Sequence, residues 1–219
     1  MGVRVKICGI TSVEDALAAG EAGADFIGVI VEIDGSPRSI SPAAARRIID
    51  ASRVPVVVLL EKSPADIERI ADRLQPHAIQ LIGETDPGMV ESLASRISAG
   101  IWKTVQVPQQ GSGDESLAGL QAFIEQYRSA GVAAVVLDTL IKNRKGGTGQ
   151  VCDWDIAQQL AAHAQLPLFL AGGLNPANVR AAIIAVHPYG IDLSSGVEAA
   201  PGKKDPQKII ALMRMVRSA

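Results

Sequence analysis

Aromatic side chains are scarce in this chain. Phe, Trp and Tyr make up 3% of its 219 residues, which leaves little material for stacking bases or sugars. Cysteine is scarcer still, with Cys8 and Cys152 only. Two thiols cannot build a disulfide framework, and they suit a reducing compartment. The three histidines, His77, His163 and His187, are scattered, and no pair has metal-ligand spacing. Basic charge is not in excess: 21 Lys and Arg stand against 23 Asp and Glu, for a net charge of −2. A protein built to grip nucleic-acid backbone is thereby excluded. No apolar run is long enough to span a bilayer. The first nine residues read as a strand rather than the apolar core of a signal peptide. A cytoplasmic protein with no membrane partner is expected. Walker A and Gly-x-Ser-x-Gly sequences are absent, as are linkers, low-complexity blocks and long charge runs.

What is present is an ordinary packed composition, 47% hydrophobic and 20% charged, in a length that fits one domain over residues 1–219. Short apolar, β-rich runs alternate with helix-like stretches. Strands are predicted over residues 3–7, 26–31, 54–60, 78–81, 101–105, 133–137, 166–170 and 190–193. Several are apolar at consecutive positions, as in Val56-Val57-Val58-Leu59-Leu60. Continuous runs suit parallel strands covered on both faces. Helices are predicted over residues 12–22, 42–51, 64–74, 86–98, 115–130, 153–164, 176–186 and 205–217. Ser41-Pro42, Ser63-Pro64, Asn175-Pro176 and Asp205-Pro206 each pair an N-cap acceptor with proline in the first turn. Gly20, Gly23, Gly100 and Gly131 are expected near helix exits. About eight strand–helix units in this length match an α/β fold of one kind, a single parallel (β/α)8 TIM barrel. The rival, an open doubly wound sheet, wants a glycine-rich turn after its first strand, and Cys8-Gly9-Ile10-Thr11 is no dinucleotide fingerprint.

In such a barrel the chemistry sits at the C-terminal strand ends. Cys8 follows the first strand. It reads either as a small buried hydrophobe or, with Lys6 two positions earlier favouring the thiolate, as a base or nucleophile. Asp138 follows the sixth apolar run. It reads as a loop or cap carboxylate, or as an acid whose pKa an apolar cavity raises toward neutrality. Arg38, in Ser36-Pro37-Arg38-Ser39, is a solvated surface arginine or a planar fork for a carboxylate or phosphate. Glycine turns follow strands seven and eight, at Gly172-Gly173 and Ser195-Gly196. Barrels often hold phosphate between those two loops, and a phosphate-monoester site is expected there. Residues 139–150 form a basic, glycine-rich stretch, either a plain surface loop or a gating lid. Trp102, Trp154 and Cys152 read as structural.

Taken in order, Lys6-Ile7-Cys8-Gly9-Ile10-Thr11, Ser36-Pro37-Arg38, Leu137-Asp138-Thr139 leading to Gly146-Gly147-Thr148-Gly149, Ala171-Gly172-Gly173-Leu174-Asn175-Pro176, and Asp192-Leu193-Ser194-Ser195-Gly196-Val197-Glu198 with Pro201-Gly202-Lys203-Lys204-Asp205 resemble the phosphoribosylanthranilate isomerase family of tryptophan biosynthesis. The likeness runs from the first strand to the last helix. It implies a (β/α)8 barrel and an Amadori rearrangement of N-(5-phosphoribosyl)anthranilate, with no metal or organic cofactor. By motif, Cys8 is the implied general base and Asp138 the general acid. Arg38 is the implied holder of the anthranilate carboxylate, with Lys6 and Asp192 also in the substrate site. Gly172, Gly173, Ser195 and Gly196 are the implied phosphate cradle. The family pattern is left at two places. Ile82 stands where a histidine is usual, and Glu61 where an asparagine is usual. The stretch Phe26–Glu32 also carries no aromatic beyond Phe26, where the family often has aromatics after the second strand. These changes fall on the walls of the aglycone pocket. The remaining alternatives are a barrel isomerase or epimerase for another phosphorylated sugar, and a non-catalytic phosphate-ligand sensor.

Overall fold

A computed structural model describes residues 2–108, 117–139 and 153–219. Its centre is a ring of eight parallel strands: β1 (Arg4–Ile7), β2 (Phe26–Val31), β3 (Val56–Leu60), β4 (Ala78–Leu81), β5 (Gly100–Val107), β6 (Ala134–Thr139), β7 (Leu168–Leu170) and β8 (Gly190–Leu193). Each pairs with the next, and β8 pairs with β1, so the sheet closes on itself. Closure leaves no free edge along the ring. The helices between them are α1 (Val13–Ala22), α2 (Pro42–Ala51), α3 (Pro64–Leu74), α4 (Pro87–Ala94), α5 (Leu117–Ser129), α6 (Trp154–His163) and α7 (Val179–Val186), and α8 (Pro206–Arg217) follows β8.

Alternation along each strand sorts side chains to two faces. Outward residues such as Val5, Ile7, Val58, Val135 and Ile191 pack with the helices in one large apolar layer. Inward residues such as Val57, Ala78, Trp102, Val136 and Phe169 fill the barrel. The few aromatics concentrate at the N-terminal end of the ring. Trp102 stacks on Phe169 at 4.8 Å between ring centres, and Phe26 meets both edge-on. Gly190 makes the space, because a Cβ there would stand 2.4 Å from the Phe169 ring. This plug closes the floor and leaves the polar inward residues toward the opposite, C-terminal mouth.

Most capping expectations hold. Ser41, Ser63 and Asp205 accept N–H groups of the first turn, with proline directly behind. Gly23 ends α1 in the left-handed region at φ 104°, and Gly131 follows α5 at φ 91°. Two glycine expectations fail: Gly20 lies inside α1 and Gly100 opens β5. The predicted helix over 86–98 stops at Ala94, where Ile97 turns back into the apolar layer. The helix predicted from Pro176 starts three residues later, at Val179. Asn175 serves a tight turn instead of capping a helix. The predicted lid, Cys152 and the first residues of the helix predicted from 115 lie outside the described residues, Thr139 excepted.

Two short pieces beyond the ring shape its mouth. Ser39–Ile40 adds a parallel rung beside β2, which fixes Arg38 at the rim. After β8 the chain makes a single 3-10 turn, Ser195–Val197. A small hairpin follows, of Glu198–Ala200 against Lys203–Lys204.

Candidate active site

Inward positions near the C-terminal strand ends are polar here, and they converge. Lys6 and Asp192 are register partners on β1 and β8, so both point into the barrel. Their ion pair spans 2.8 Å, with the lysine side chain fully buried. Asp192 Oδ1, on the other side of that carboxylate, is buried without a hydrogen-bond partner among the described residues. Two residues beyond Lys6, Cys8 takes the same face. Its N–H donates to Leu193 O at 2.7 Å, which holds the thiol at the mouth of the ring. Gly28 on β2 makes this possible. A Cβ there would sit 2.8 Å from Cys8 Sγ and 3.2 Å from Lys6 Cε.

The electrostatics set the protonation states. Burial alone would push Lys6 toward the neutral amine, yet Asp192 and Cys8 carry it above the usual lysine range. For Cys8, burial is the largest effect and raises the thiol. Lys6 and Lys204 pull it down and Asp192 pushes it up, and the net shift is upward. Lys6 itself favours the thiolate, as expected, but desolvation outweighs it. Asp138 is the third member, inward on β6 and placed inside the strand rather than just past it. Its Oδ1 accepts the Thr139 N–H at 2.8 Å. Burial raises its carboxyl pKa above the usual range against that bond, with Asp192 adding to the rise and Lys6 opposing it. The buried ammonium of Lys6 acts on Cys8, Asp138 and Asp192 alike. The structure thus brings these four residues, all singled out in the sequence, to one place.

Next to them stand two glycine turns in mutual contact. Gly172 and Gly173 both have positive φ, 83° and 64°, where a side chain is strained. A Cβ on Gly172 would also meet Thr139 Oγ1. Their N–H groups have no acceptor among the described residues. Asn178 staples the turn: its Nδ2 donates to Gly173 O at 3.0 Å, and its Oδ1 accepts the Asn175 N–H at 2.8 Å. Across from it, Gly196 in the 3-10 turn approaches so closely that a Cβ would fall 1.9 Å from Leu174 O. The loops after β7 and β8 therefore meet backbone against backbone, an arrangement that can receive a phosphate.

Arg38 reaches over the same mouth. Its Cδ and the buried Ser194 Oγ, which has no partner among the described residues, flank Gly9, each 2.6 Å from where a Cβ would be. Its Nε and Nη2 grip Glu198 at 2.7 and 2.6 Å. Glu198 and its partner Lys204, bound at 2.8 Å, are functional-site residues the sequence reading named only as part of a motif. The signal that could have found them is the Glu198-Ala199-Ala200-Pro201-Gly202 hairpin turn, which brings Lys204 back opposite Glu198.

The two departures from the family pattern lie on the other side of the mouth. Ile82 packs against the barrel interior. Glu61 lines a cavity of about 710 Å³, together with Lys103, Thr104 and Gln106 of β5 and Leu120 and Phe123 of α5. Inside the barrel, Gln80 donates to Thr104 at 2.9 Å, and its Oε1 is buried without a partner among the described residues.

A closed parallel barrel with a buried thiol and a buried carboxyl at its C-terminal mouth, beside two glycine turns, has the layout of a (β/α)8 enzyme. The family description "N-(5'phosphoribosyl)anthranilate (PRA) isomerase" matches residues 5–215. An N-(5'-phosphoribosyl)anthranilate isomerase of Methanopyrus kandleri is 41% identical over 221 residues, covering 99% of each chain. The solved phosphoribosyl anthranilate isomerase of Thermotoga maritima superposes with a TM-score of 0.84 at 36% identity, covering 99% of this chain and 100% of that one. A further structure of such an isomerase, in complex with reduced 1-(o-carboxyphenylamino)-1-deoxyribulose 5-phosphate, gives a TM-score of 0.81 at 35% identity over 99% and 100% of the two chains. The chain belongs to the phosphoribosylanthranilate isomerase family.

Proposed function

We propose that Cys8 is the general base and Asp138 the general acid of the family's reaction, the isomerisation of N-(5-phosphoribosyl)anthranilate to 1-(2-carboxyphenylamino)-1-deoxyribulose 5-phosphate in tryptophan biosynthesis. The reaction has two proton demands. Opening the furanose needs a proton on the ring oxygen as the C–O bond breaks, and Asp138, whose carboxyl burial shifts toward the protonated form, gives it. The protonated Schiff base that results acidifies the neighbouring C–H. The Cys8 thiolate takes that proton, and the electron pair moves to the nitrogen to form the enolamine, which tautomerises to the ketose. Each such proton transfer contributes roughly 10²- to 10⁴-fold. Lys6, held by Asp192, stabilises negative charge on either group as the proton changes place. The turns at Gly172-Gly173 and Ser195-Gly196 hold the phosphate, and Arg38 the carboxylate, which fixes the sugar between acid and base. We place the reaction in the cytoplasm; no described helix is long and apolar enough to cross a membrane.

The observation that carries this reading is the convergence of Cys8, Lys6, Asp138 and Asp192 beside the double glycine turn. The test is the fluorescence of phosphoribosylanthranilate. Purified protein should extinguish it, and Cys8→Ala or Asp138→Asn should slow the loss at least a hundredfold. Persistent fluorescence with intact substrate and folded protein would overturn the assignment.

A further inference from the structure

The Nε and Nη2 edge of Arg38 is occupied. A guanidinium carries five N–H groups in a rigid plane, and two of them are committed to the oxygens of Glu198. That leaves the Nη1–Nη2 edge for a second carboxylate. The fork can face the mouth only if something fixes its plane, and Glu198 is placed to do so. Its side chain is 5% exposed and that of Arg38 13%. Glu198 is itself fixed by Lys204, whose Nζ bonds both Glu198 Oε1 at 2.8 Å and the backbone oxygen of Ser194 at 3.2 Å. Lys208 Nζ secures the Glu198 backbone oxygen at 2.7 Å. Ser194 begins the 3-10 turn that bears Gly196. One carboxylate thus links the rim arginine to the backbone of the anion cradle.

We infer that Glu198 is a positioning residue: it orients Arg38 toward the aryl carboxylate and, through Lys204, fixes the separation between the carboxylate and phosphate sites. The inference rests on the reading of Arg38 as the carboxylate holder. It makes Glu198 act on one end of the substrate and on binding rather than on proton transfer. The discriminating pair of ligands is reduced 1-(2-carboxyphenylamino)-1-deoxyribulose 5-phosphate and its phenylamino counterpart without the carboxylate. Both carry the same sugar phosphate.

The experiment measures inhibition constants of both ligands for wild type, Glu198→Gln, Glu198→Asp and Arg38→Ala, along with kcat and KM. Glu198→Gln keeps the side chain's shape and one acceptor, so the protein keeps its fold, and its thermal midpoint reports this. The expected result is about tenfold weaker binding of the carboxylated ligand to Glu198→Gln, with less than about twofold change for the other. KM should rise by a similar factor with kcat nearly unchanged, and Glu198→Asp, which retains the charge, should recover part of the loss. Equal weakening of both ligands, or a fall in kcat alone, would overturn the positioning role. The underlying reading fails separately. If Arg38→Ala leaves the preference for the carboxylated ligand intact, Arg38 is not its holder, and the role of Glu198 falls with it. If Arg38→Ala abolishes the preference and Glu198→Gln preserves it, only the positioning role falls.

Discussion

A buried thiol and a buried carboxyl, both held toward their neutral forms, share a lysine. Below the raised range of Asp138 both carry protons, and no base is present. Above the raised range of Cys8 neither does, and no acid is present. Between the two, one proton is distributed over the pair, and the proposed active arrangement is thiolate with carboxylic acid. The profile of kcat/KM against pH is therefore expected to be a bell whose two apparent pKa values belong to the coupled pair. Its acid limb follows the carboxyl and its alkaline limb the thiol, both raised chiefly by burial. Asp138→Asn should change the shape as well as the height. Its residual rate, about 10²- to 10⁴-fold lower, should climb through the alkaline range where wild type declines, because only the thiolate is then needed. A pH series of initial rates on the two proteins reads this directly. Gly28→Ala is a second residue-scale test. Its new methyl group meets the sulfur at 2.8 Å. The displaced thiol should cost about a hundredfold in kcat, while the strand, whose φ is ordinary there, loses only about 1–3 kcal/mol. Stopped assays and denaturant unfolding separate the two effects.

Among the elements, the turn after β7 carries most of the proposed phosphate binding. The sequence Asn175-Pro176 suggests a capped helix start, and the chain uses it otherwise. Both asparagines bond back onto the turn, and α7 starts only at Val179. A cap motif and a turn staple use the same residues and differ in what the side chains find within reach, which local sequence does not state. Asn178→Ala should thus behave as a binding mutant. KM for the phosphorylated substrate and the inhibition constant of inorganic phosphate should both rise several-fold to about tenfold, with kcat changed little. Steady-state kinetics with phosphate as inhibitor distinguish this from a general loss of fold. The strands were more legible. Apolar runs such as Val56–Leu60 leave little choice but a doubly covered parallel strand, and Cys8, Asp138 and the glycine turns follow from where those runs stop. The hairpin after the last 3-10 turn was not legible, since its two strands are three and two residues long and carry no periodic pattern. Glu198 and Lys204 therefore stand in the sequence only as parts of a motif, and their pairing shows only once the Pro201-Gly202 turn is folded.

At the scale of the molecule, two buried lysines on the strands, Lys6 and Lys103, mark two separate polar sites. One is the mouth already described. The other is Lys103, on the outward face of β5, whose ammonium donates to Gly83 O at 2.5 Å and lies over the Tyr127 ring. Burial lowers its pKa from 10.5 to about 8, against an opposing pull from Glu61. The folded state then binds fewer protons than the unfolded chain between those values, so stability should rise with pH across that window. Lys103→Met should lack that rise, which urea unfolding at pH 7, 8.5 and 10 would show. The overall ring was readable from eight alternating units. Its interior arrangement was not, because the pairing of Lys6 with Asp192 depends on closure between the first and last strands, 186 residues apart. The same closure brings Cys8, the proposed base, to the glycine turns proposed to hold the phosphate, and the whole functional reading depends on it. The most direct test is a crystal structure with the reduced product analogue bound. Cys8 Sγ and an Asp138 oxygen should lie on opposite sides of one sugar, within roughly 3–4 Å of the carbon and oxygen that exchange protons, with the phosphate on the Gly172-Gly173 and Ser195-Gly196 backbone. A phosphate seated elsewhere, or a sugar touching only one of the two groups, would contradict the account.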